Sequence, residues 1–174
     1  MMIKGSILIS IYPKENPNYF RAALDSVIHS TVVVSEVVIV QDGLVPLELT
    51  SVIENFRSEY KGEVKLVGYK YNKGLGFALD YGLQYCTNEI VFRVDADDLN
   101  RLDRFEYQNS IMQNDPTLSI AGGQIEEFFE NPGDMGRQRI VPLTLEDIKG
   151  VLKRKNPFNH MSVAFRKSHI LDSG

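Results

Sequence analysis

The feature that most constrains the fold is a regular alternation of short apolar runs with longer segments whose apolar residues recur at helical spacing. Strand-like runs cover 6–11, 36–40, 63–69 and 89–94, and helix-like segments cover 17–28, 46–60, 74–86 and 102–114. Asn16-Pro17 adds an N-cap and a proline at the first helical position. A strand–helix unit repeated four times predicts right-handed crossovers and a mostly parallel sheet with helices on both faces, a three-layer α/β fold.

The alternation breaks down after Gly123. A fifth strand is expected at 118–121, and Thr144 is expected to cap a further helix. Phe128 and Phe129 are expected in the core. The remaining extended segments are expected at 124–129, 137–141 and 161–165.

Length and charge exclude several classes of protein. The chain has 174 residues, enough for one ordinary domain, and its net charge of −4 argues against a nucleic-acid partner. Its single cysteine, Cys86, excludes an intrachain disulfide and a cysteine-rich zinc module. No apolar run approaches the length of a membrane span, and the start does not resemble a signal peptide.

Three carboxylates within four residues, Asp95, Asp97 and Asp98, follow the fourth predicted strand. They repel one another, and a hard divalent cation such as Mg²⁺ or Mn²⁺ would offset that repulsion and bridge them to phosphate oxygens. No cysteine and only distant histidines accompany them, which argues against zinc. The alternative is a solvated acidic loop in which Asp98 caps the next helix.

Polar groups also end the neighbouring strands. In an open α/β sheet, ligands bind outside the carboxyl ends of the strands, near the switch in strand order. Asp42 would accept hydrogen bonds from a nucleobase or from ribose hydroxyls, and Tyr12 would stack on the base. The alternatives are an Asp-Gly turn at Asp42 and a rim tyrosine whose hydroxyl lies in water.

The glycine-bearing segment 72–76 precedes the third helix. Glycine lets the backbone approach a ligand and a helix N-terminus favours anions, so a phosphate would fit there. The segment matches neither a dinucleotide fingerprint nor a P-loop, which leaves the signal weak by itself.

Two further cationic or titratable residues stand near the predicted site. Arg93 either balances the aspartates or reaches a phosphate, and His160 is either a site member or a structural histidine. Arg101 and Arg104 are expected in solvent or paired with nearby acidic residues.

Six stretches, spread over nearly the whole chain, carry a resemblance to a known family. They are 6–12 (SILISIY), 26–31, 36–43 (EVVIVQDG), 72–79 (NKGLGFAL), 93–98 (RVDADD) and 156–160 (NPFNH). In these stretches the chain resembles the nucleotide-sugar-binding half of family 2 glycosyltransferases, which have the GT-A fold. Within that family it is similar to the bacterial amylovoran-type exopolysaccharide enzymes.

The resemblance implies one GT-A domain over 1–174, with a nucleotide-binding half in 1–100 and the start of an acceptor half in 101–174. It assigns Asp95, Asp97 and Asp98 to the DxD region, which binds the diphosphate through Mn²⁺ or Mg²⁺, with Asp97 as the favoured main ligand. The residues that it implies for substrate binding are Ser10, Tyr12, Asp42, Asn72, Gly74, Arg93, Asp95 and His160.

Two departures from the family pattern matter. Gln41 replaces an aspartate that is common before the Asp-Gly pair, which leaves Asp42 as the base-reading carboxylate. The family's general base is an acidic residue downstream of the last strand, so we expect it beyond Gly174. We therefore expect a C-terminally truncated fragment that binds the donor and is inactive alone.

The implied function is metal-dependent, inverting transfer of a sugar from a UDP-sugar to a saccharide or lipid-linked acceptor in polysaccharide biosynthesis. We expect a cytoplasmic protein that meets its acceptor at the inner membrane surface. The alternative is a non-catalytic nucleotide-sugar-binding or partner-docking module. Phosphatase-like and nucleotidyltransferase domains are disfavoured, because the first strand ends in Ser10-Ile11-Tyr12 and not in a nucleophilic aspartate or a glycine-rich loop.

Overall fold

A six-stranded sheet is the frame of the protein, which a computed structural model describes for residues 1–173. Its strand order is β3-β2-β1-β4-β8-β5, and β6 and β7 form a separate two-stranded sheet. In chain order the elements are β1 (Met2–Ile11), α1 (Pro17–Ile28), β2 (Val33–Asp42), α2 (Leu47–Glu59), β3 (Glu63–Tyr69), α3 (Leu75–Leu83), β4 (Ile90–Val94), α4 (Arg104–Asn114), β5 (Ile120–Ala121), β6 (Ile125–Glu127), β7 (Arg137–Arg139), α5 (Leu145–Leu152), a 3-10 turn (His160–Ser162), β8 (Ala164–Arg166) and α6 (Lys167–Ser173).

The four predicted parallel strands are confirmed. β1 pairs in parallel with both β2 and β4, and β2 pairs in parallel with β3. β8 runs antiparallel to β4 and to β5. Because β1 lies between β2 and β4, the strand order reverses beside β1, where ligands bind in sheets of this kind.

Helices cover both faces of the sheet, as predicted. α1, α2 and α4 bury apolar side chains such as Phe56 and Phe105 against one face. α3 packs on the other face against Leu8 and Val40. Gly82 makes this close approach possible, because a Cβ at that position would lie 2.4 Å from Val40 Cγ2.

A buried carboxylate, Glu36, joins three strands and the chain between α3 and β4. Glu36 accepts hydrogen bonds from the Ser6 hydroxyl, the Lys65 ammonium and the N–H of Thr87, the last at 2.9 Å. Burial would raise the pKa of Glu36, but the hydrogen bonds from Lys65, Ser6 and Thr87 outweigh it and lower that pKa. The role of this carboxylate was not predicted from the sequence.

Most predicted elements are confirmed, although β1 and β2 are longer than predicted and α2, α3 and α4 are shorter. Asn16 caps α1 by accepting the N–H of Asn18 at 2.9 Å, and Thr144 caps α5 by accepting that of Asp147 at 3.2 Å. The helix predicted from 102 begins at Arg104. The last strand is restricted to 164–166, because the 3-10 turn occupies the positions before it.

The hairpin of β6 and β7 lies outside the main sheet. The Asp134 carboxylate holds its connecting turn by accepting the N–H groups of Phe129 and Glu130 at 2.9 and 2.7 Å. Phe129 is 82% exposed, and the half-buried Phe128 belongs to neither core cluster, so their predicted place in the core is wrong: the hairpin pairs only with itself. Among residues 1–173, no helix combines the length and apolar character that crossing a membrane would need.

Candidate metal and ligand site

The predicted site residues gather at the carboxyl edge of β1, β2 and β4. Ser10 and Tyr12 lie at the end of β1, Asp42 ends β2, and the acidic run 95–98 follows β4. Neighbouring strands are about 4.8 Å apart, so β2 and β4 are separated by roughly 10 Å with β1 between them. Asp42 and the acidic run therefore lie on either side of the end of β1, and the space between them is called the cleft below.

The acidic run forms a cluster. Asp95, Asp97 and Asp98 each offer a carboxylate oxygen, and these oxygens lie within 4.8 Å of one another. Asp98 Oδ2 is buried without a hydrogen-bond partner among the described residues. Carboxylate oxygens at this spacing, on residues that include a buried and unpaired oxygen, fit a hard divalent cation. Asp98 does not cap α4, because Asp103 occupies that position.

Asp98 differs electrostatically from an ordinary surface aspartate. Burial, together with the charges of Asp95 and Asp97, raises the pKa of Asp98 to about 6, although Arg93 and Arg104 act in the opposite direction. A cation would favour the ionised form and relieve this repulsion. The electrostatics of the cluster are therefore those expected of a cation-binding group.

Glu15 is a fourth carboxylate near the cluster, and its place there was not predicted from the sequence. Burial and the nearby charges of Asp97 and Asp95 raise the pKa of Glu15, although the backbone N–H of Asn16 lowers it. A turn in which the Glu15 N–H donates to the Tyr12 carbonyl at 3.1 Å places it there. Its sequence position, in the loop after β1, carries no signal of this proximity.

Arg93 lies buried beneath the cluster, with its side chain 4% exposed. Its Nη2 forms a close ion pair with Asp95. Within residues 1–173, neither Nε nor Nη1 has a hydrogen-bond partner. The ion pair matches the first of the two predicted roles, balance of the aspartates, and contact with a phosphate stays a prediction.

Arg104 anchors the chain that follows the cluster. Its guanidinium donates to the Asn100 side-chain oxygen, to the Arg93 carbonyl at 2.7 Å and to Gln108 Oε1 at 3.1 Å. Asn100 in turn donates its backbone and side-chain N–H groups to Ser26 Oγ, both at 3.0 Å. These contacts tie the loop to α1, α4 and β4.

The two arginines at the start of α4 therefore have different surroundings. Arg101 pairs with Asp103, Nη2 to Oδ2 at 2.6 Å, and both are exposed, as expected. The same expectation is wrong for Arg104, which turns inward, and burial lowers the pKa of Arg104 to about 10.

The Asp42 carboxylate holds the glycine-bearing loop. Its Oδ1 accepts the N–H of Lys73 at 2.6 Å and its Oδ2 that of Gly74 at 2.9 Å, while Asn72 Nδ2 donates to the Asp42 carbonyl at 3.2 Å. Gly74 has φ +90°, which glycine adopts without strain. Two features that the sequence singled out separately thus form one unit. Contact between Asp42 and a nucleoside stays a prediction.

The remaining predicted residues differ in exposure. Tyr12 is 42% exposed, which leaves its ring accessible, and Ser10 is half-buried. His160 is exposed on the 3-10 turn beside β4, where the Val163 carbonyl accepts the N–H of Arg93 at 2.9 Å. The fold thus brings the His160 segment to the same sheet edge as the acidic cluster.

Comparison with known proteins agrees with this geometry. Residues 6–173 match the family model for Glycosyl transferase family 2. The chain is 40% identical over 171 residues to the UDP-Gal:alpha-D-GlcNAc-diphosphoundecaprenol beta-1,3-galactosyltransferase of Escherichia coli, covering 98% of this chain and 61% of that protein. It is 37% identical over 171 residues to the amylovoran biosynthesis glycosyltransferase AmsE of Erwinia amylovora, covering 97% and 62%. The chain thus spans about three fifths of the length of these curated relatives.

A solved structure matches the fold. The mannosyltransferase PcManGT from Pyrobaculum calidifontis, in complex with GDP-Man and Mn²⁺, superposes with a TM-score of 0.69 over 98% of this chain and 46% of that one. At 17% identity the likeness establishes the fold alone, and it confirms the predicted GT-A architecture.

Proposed function

The chain belongs to glycosyl transferase family 2, and from that premise we propose that the carboxyl edge of its sheet binds a nucleotide-sugar, with a UDP-sugar as the donor. The observation that carries the proposal is the cluster of Asp95, Asp97 and Asp98 oxygens beside the switch in strand order. We further propose that the protein takes part in moving the sugar to a saccharide or lipid-linked acceptor in polysaccharide biosynthesis. The names of the Escherichia coli and Erwinia amylovora relatives support this substrate class.

A divalent cation, Mn²⁺ or Mg²⁺, fits this reading of the site. Asp97 would be the main ligand, with Asp95 and Asp98 beside it. Such a cation supplies charge neutralisation for a departing nucleoside diphosphate. The Mn²⁺ in the mannosyltransferase structure supports this assignment, and the unpaired Asp98 Oδ2 supports it independently.

The neighbouring side chains are proposed to orient the donor. The exposed ring of Tyr12 would stack on the base, with Ser10 and Asp42 beside the nucleoside. Because both Asp42 carboxylate oxygens already accept backbone N–H groups, we propose that Asp42 acts chiefly by fixing Lys73 and Gly74, while its carbonyl holds the Asn72 side chain.

Two cationic or titratable groups complete the proposed site. Arg93 would hold Asp95 in place from its buried position, and its positive charge would favour a phosphate near the cluster. His160 would border the donor from the 3-10 turn. Deprotonation of the acceptor hydroxyl needs a general base, and we assign no residue among 1–173 to that role.

Thermal unfolding with UDP-, GDP- and dTDP-sugars, each with and without Mn²⁺, tests the proposal. One nucleotide is expected to stabilise the protein only when the metal is present, by about 2.7 kcal/mol at a ligand concentration of about 100 times Kd. Asp97→Asn is expected to abolish this stabilisation. Asp80→Asn, at an exposed position of α3, is the matched control and should retain it.

The possible results separate the competing functions. Stabilisation without metal would contradict the assignment of Asp97 as a metal ligand. No stabilisation by any nucleotide, with or without Mn²⁺, would contradict nucleotide-sugar binding and favour a partner-docking module.

A further inference from the structure

α5 presents an amphipathic surface, and we propose that this surface docks the protein on an anionic lipid bilayer. The inference does not depend on the proposed sugar transfer. The surface, called the α5 surface below, consists of Leu143, Leu145, Lys149, Leu152, Lys153, Arg154 and Lys155.

The apolar part of the α5 surface is unusually exposed. Leu143, Leu145 and Leu152 are 82%, 66% and 58% exposed, and no residue of α5 is buried. Leu145 and Leu152 are seven residues apart and therefore lie on the same side of the helix. Covering such exposed aliphatic side chains with an apolar phase lowers the free energy, so they mark an interaction surface.

The charged part of the α5 surface opposes the charge of the whole protein. The chain has a net charge of −4. Within seven residues, however, the α5 surface gathers four cations, and none of them forms an ion pair with another residue of 1–173: Lys149, Lys153, Arg154 and Lys155. The acidic residues of α5, Glu146 and Asp147, lie in its first turn, where the Asp147 carboxylate accepts the Thr144 hydroxyl at 2.7 Å.

This combination favours a bilayer over other occupants. A helix that lies in a membrane interface places aliphatic side chains in the acyl boundary and Lys or Arg at the headgroups. Anionic headgroups attract each such cation over a distance of about one Debye length. A nucleic acid would use the cations but would leave the three leucines in water.

The position of α5 gives the docking a consequence for the site. The chain that follows Leu152 reaches His160 within eight residues, and His160 lies at the carboxyl edge of the sheet. Eight residues span at most about 28 Å, so a bilayer bound by the α5 surface would lie within that reach of His160.

Vesicle co-sedimentation of the 174-residue chain, without nucleotide or metal, tests the inference. Binding is expected to vesicles that contain phosphatidylglycerol and not to phosphatidylcholine alone, and it should fall in about 1 M salt, where the Debye length is about 3 Å. Lys153→Gln/Arg154→Gln should lower the partition coefficient roughly 30-fold, about fivefold for each lost charge. The control Lys4→Gln/Lys61→Gln removes two other exposed cations, outside the α5 surface, and should leave the partition unchanged.

A second pair of variants tests the apolar contribution. Leu145→Ser/Leu152→Ser should weaken binding to the same vesicles, whereas Met2→Ser/Leu47→Ser, which alters two exposed apolar residues far from α5, should not. All substituted side chains are exposed, and circular dichroism checks that each variant is folded.

Three results would overturn the inference. They are equal binding to neutral and anionic vesicles, equal losses in the α5 and control variants, and no binding to any vesicle. A concentration-dependent dimer that the leucine variants abolish, without vesicle binding, would assign the α5 surface to a second copy of the chain instead. Because no nucleotide is present, none of these results bears on donor binding.

Discussion

Asp42 binds Gly74: its Oδ2 accepts the Gly74 backbone N–H at 2.9 Å, although the two residues are 32 positions apart in the sequence. Asp42 ends β2, and Gly74 immediately precedes the first residue of α3. One buried carboxylate thus fixes the start of a helix relative to the edge of the sheet at which the cleft lies.

Asp42→Asn is expected to destabilise the protein. An amide has one accepting oxygen, so either Lys73 or Gly74 loses its partner, at a cost of about 1–3 kcal/mol in the free energy of unfolding. Urea unfolding measures this loss. Asn72→Ala, which removes only an exposed side-chain donor to the Asp42 carbonyl, should cost about 1 kcal/mol or less. Equal losses in the two variants would contradict the anchoring role of the carboxylate.

Metal binding is expected to depend on pH through Asp98, whose pKa is raised to about 6. The carboxyl must lose its proton to ligate a cation, so Mn²⁺ affinity should fall by up to about tenfold for each pH unit below that value and level off above it. Calorimetric titration on both sides of the pKa checks this. Asp98→Asn should remove the dependence, and an unchanged profile in that variant would assign the titration to another group.

In the metal-free protein, Asp98 makes the free energy of unfolding fall as the pH rises, whereas it makes metal affinity increase. Its folded-state pKa of about 6 exceeds the ordinary value of 3.8, so the folded state binds the proton more tightly than the unfolded state. The contribution of Asp98 to the free energy of unfolding is therefore fully present below pH 3.8 and is lost as the pH rises through about 6. Comparing urea unfolding of the metal-free protein and Asp98→Asn across this interval measures it.

Arg104→Lys is expected to lower Mn²⁺ affinity about 10-fold, the lower end of what outer-shell changes do to metal sites. A lysine cannot reproduce the planar set of donors that Arg104 offers to Asn100, Arg93 and Gln108. Arg101→Lys, whose partner Asp103 is exposed, is the control and should leave the affinity unchanged. If both variants bind Mn²⁺ as the unaltered protein does, Arg104 does not position the loop.

Glu36→Ala is expected to cost about 3–5 kcal/mol, because it leaves Ser6, Lys65 and Thr87 without their shared acceptor. Glu63→Ala is the control. Glu63 also lies near Lys65, at 3.8 Å, but it is 62% exposed and its loss should cost less than about 1 kcal/mol. Since the pKa of Glu36 is lowered from 4.5, its stabilisation is present above pH 4.5 and disappears as the pH falls through the folded-state value. A small effect of Glu36→Ala in urea unfolding would contradict the network.

The parallel sheet and the edge that carries the site were predictable from the sequence. Strands buried on both faces give continuous apolar runs such as 37–40, and helices give apolar residues spaced three or four positions apart, so the alternation determines the fold class. Asp42 and the acidic run follow such strands directly, and parallel strands end at one edge. The position of these carboxylates therefore required no tertiary information.

Residues whose role depends on packing were not predictable in the same way. Arg104 was expected to be exposed or paired with an acidic residue. It lies four residues from both Asn100 and Gln108, the two side chains to which it donates. This spacing of polar residues was a signal in the sequence for a buried network. Glu15 offered no such signal, because only a turn brings it to the cluster. Phe129 was misassigned because hydrophobicity alone does not reveal that its hairpin pairs outside the main sheet.

The side chains around the cleft are of two kinds, buried ones and exposed ones. Asp42 and Arg93 are 2% and 4% exposed and hold the loops, whereas Tyr12 and His160 reach solvent. Directed evolution of ligand preference can therefore randomise Tyr12 and His160 and keep most library members folded. Randomising Asp42 and Arg93 would mainly yield unfolded chains. Shifts in ligand selectivity should therefore come from substitutions at Tyr12 and His160, with the buried residues unchanged.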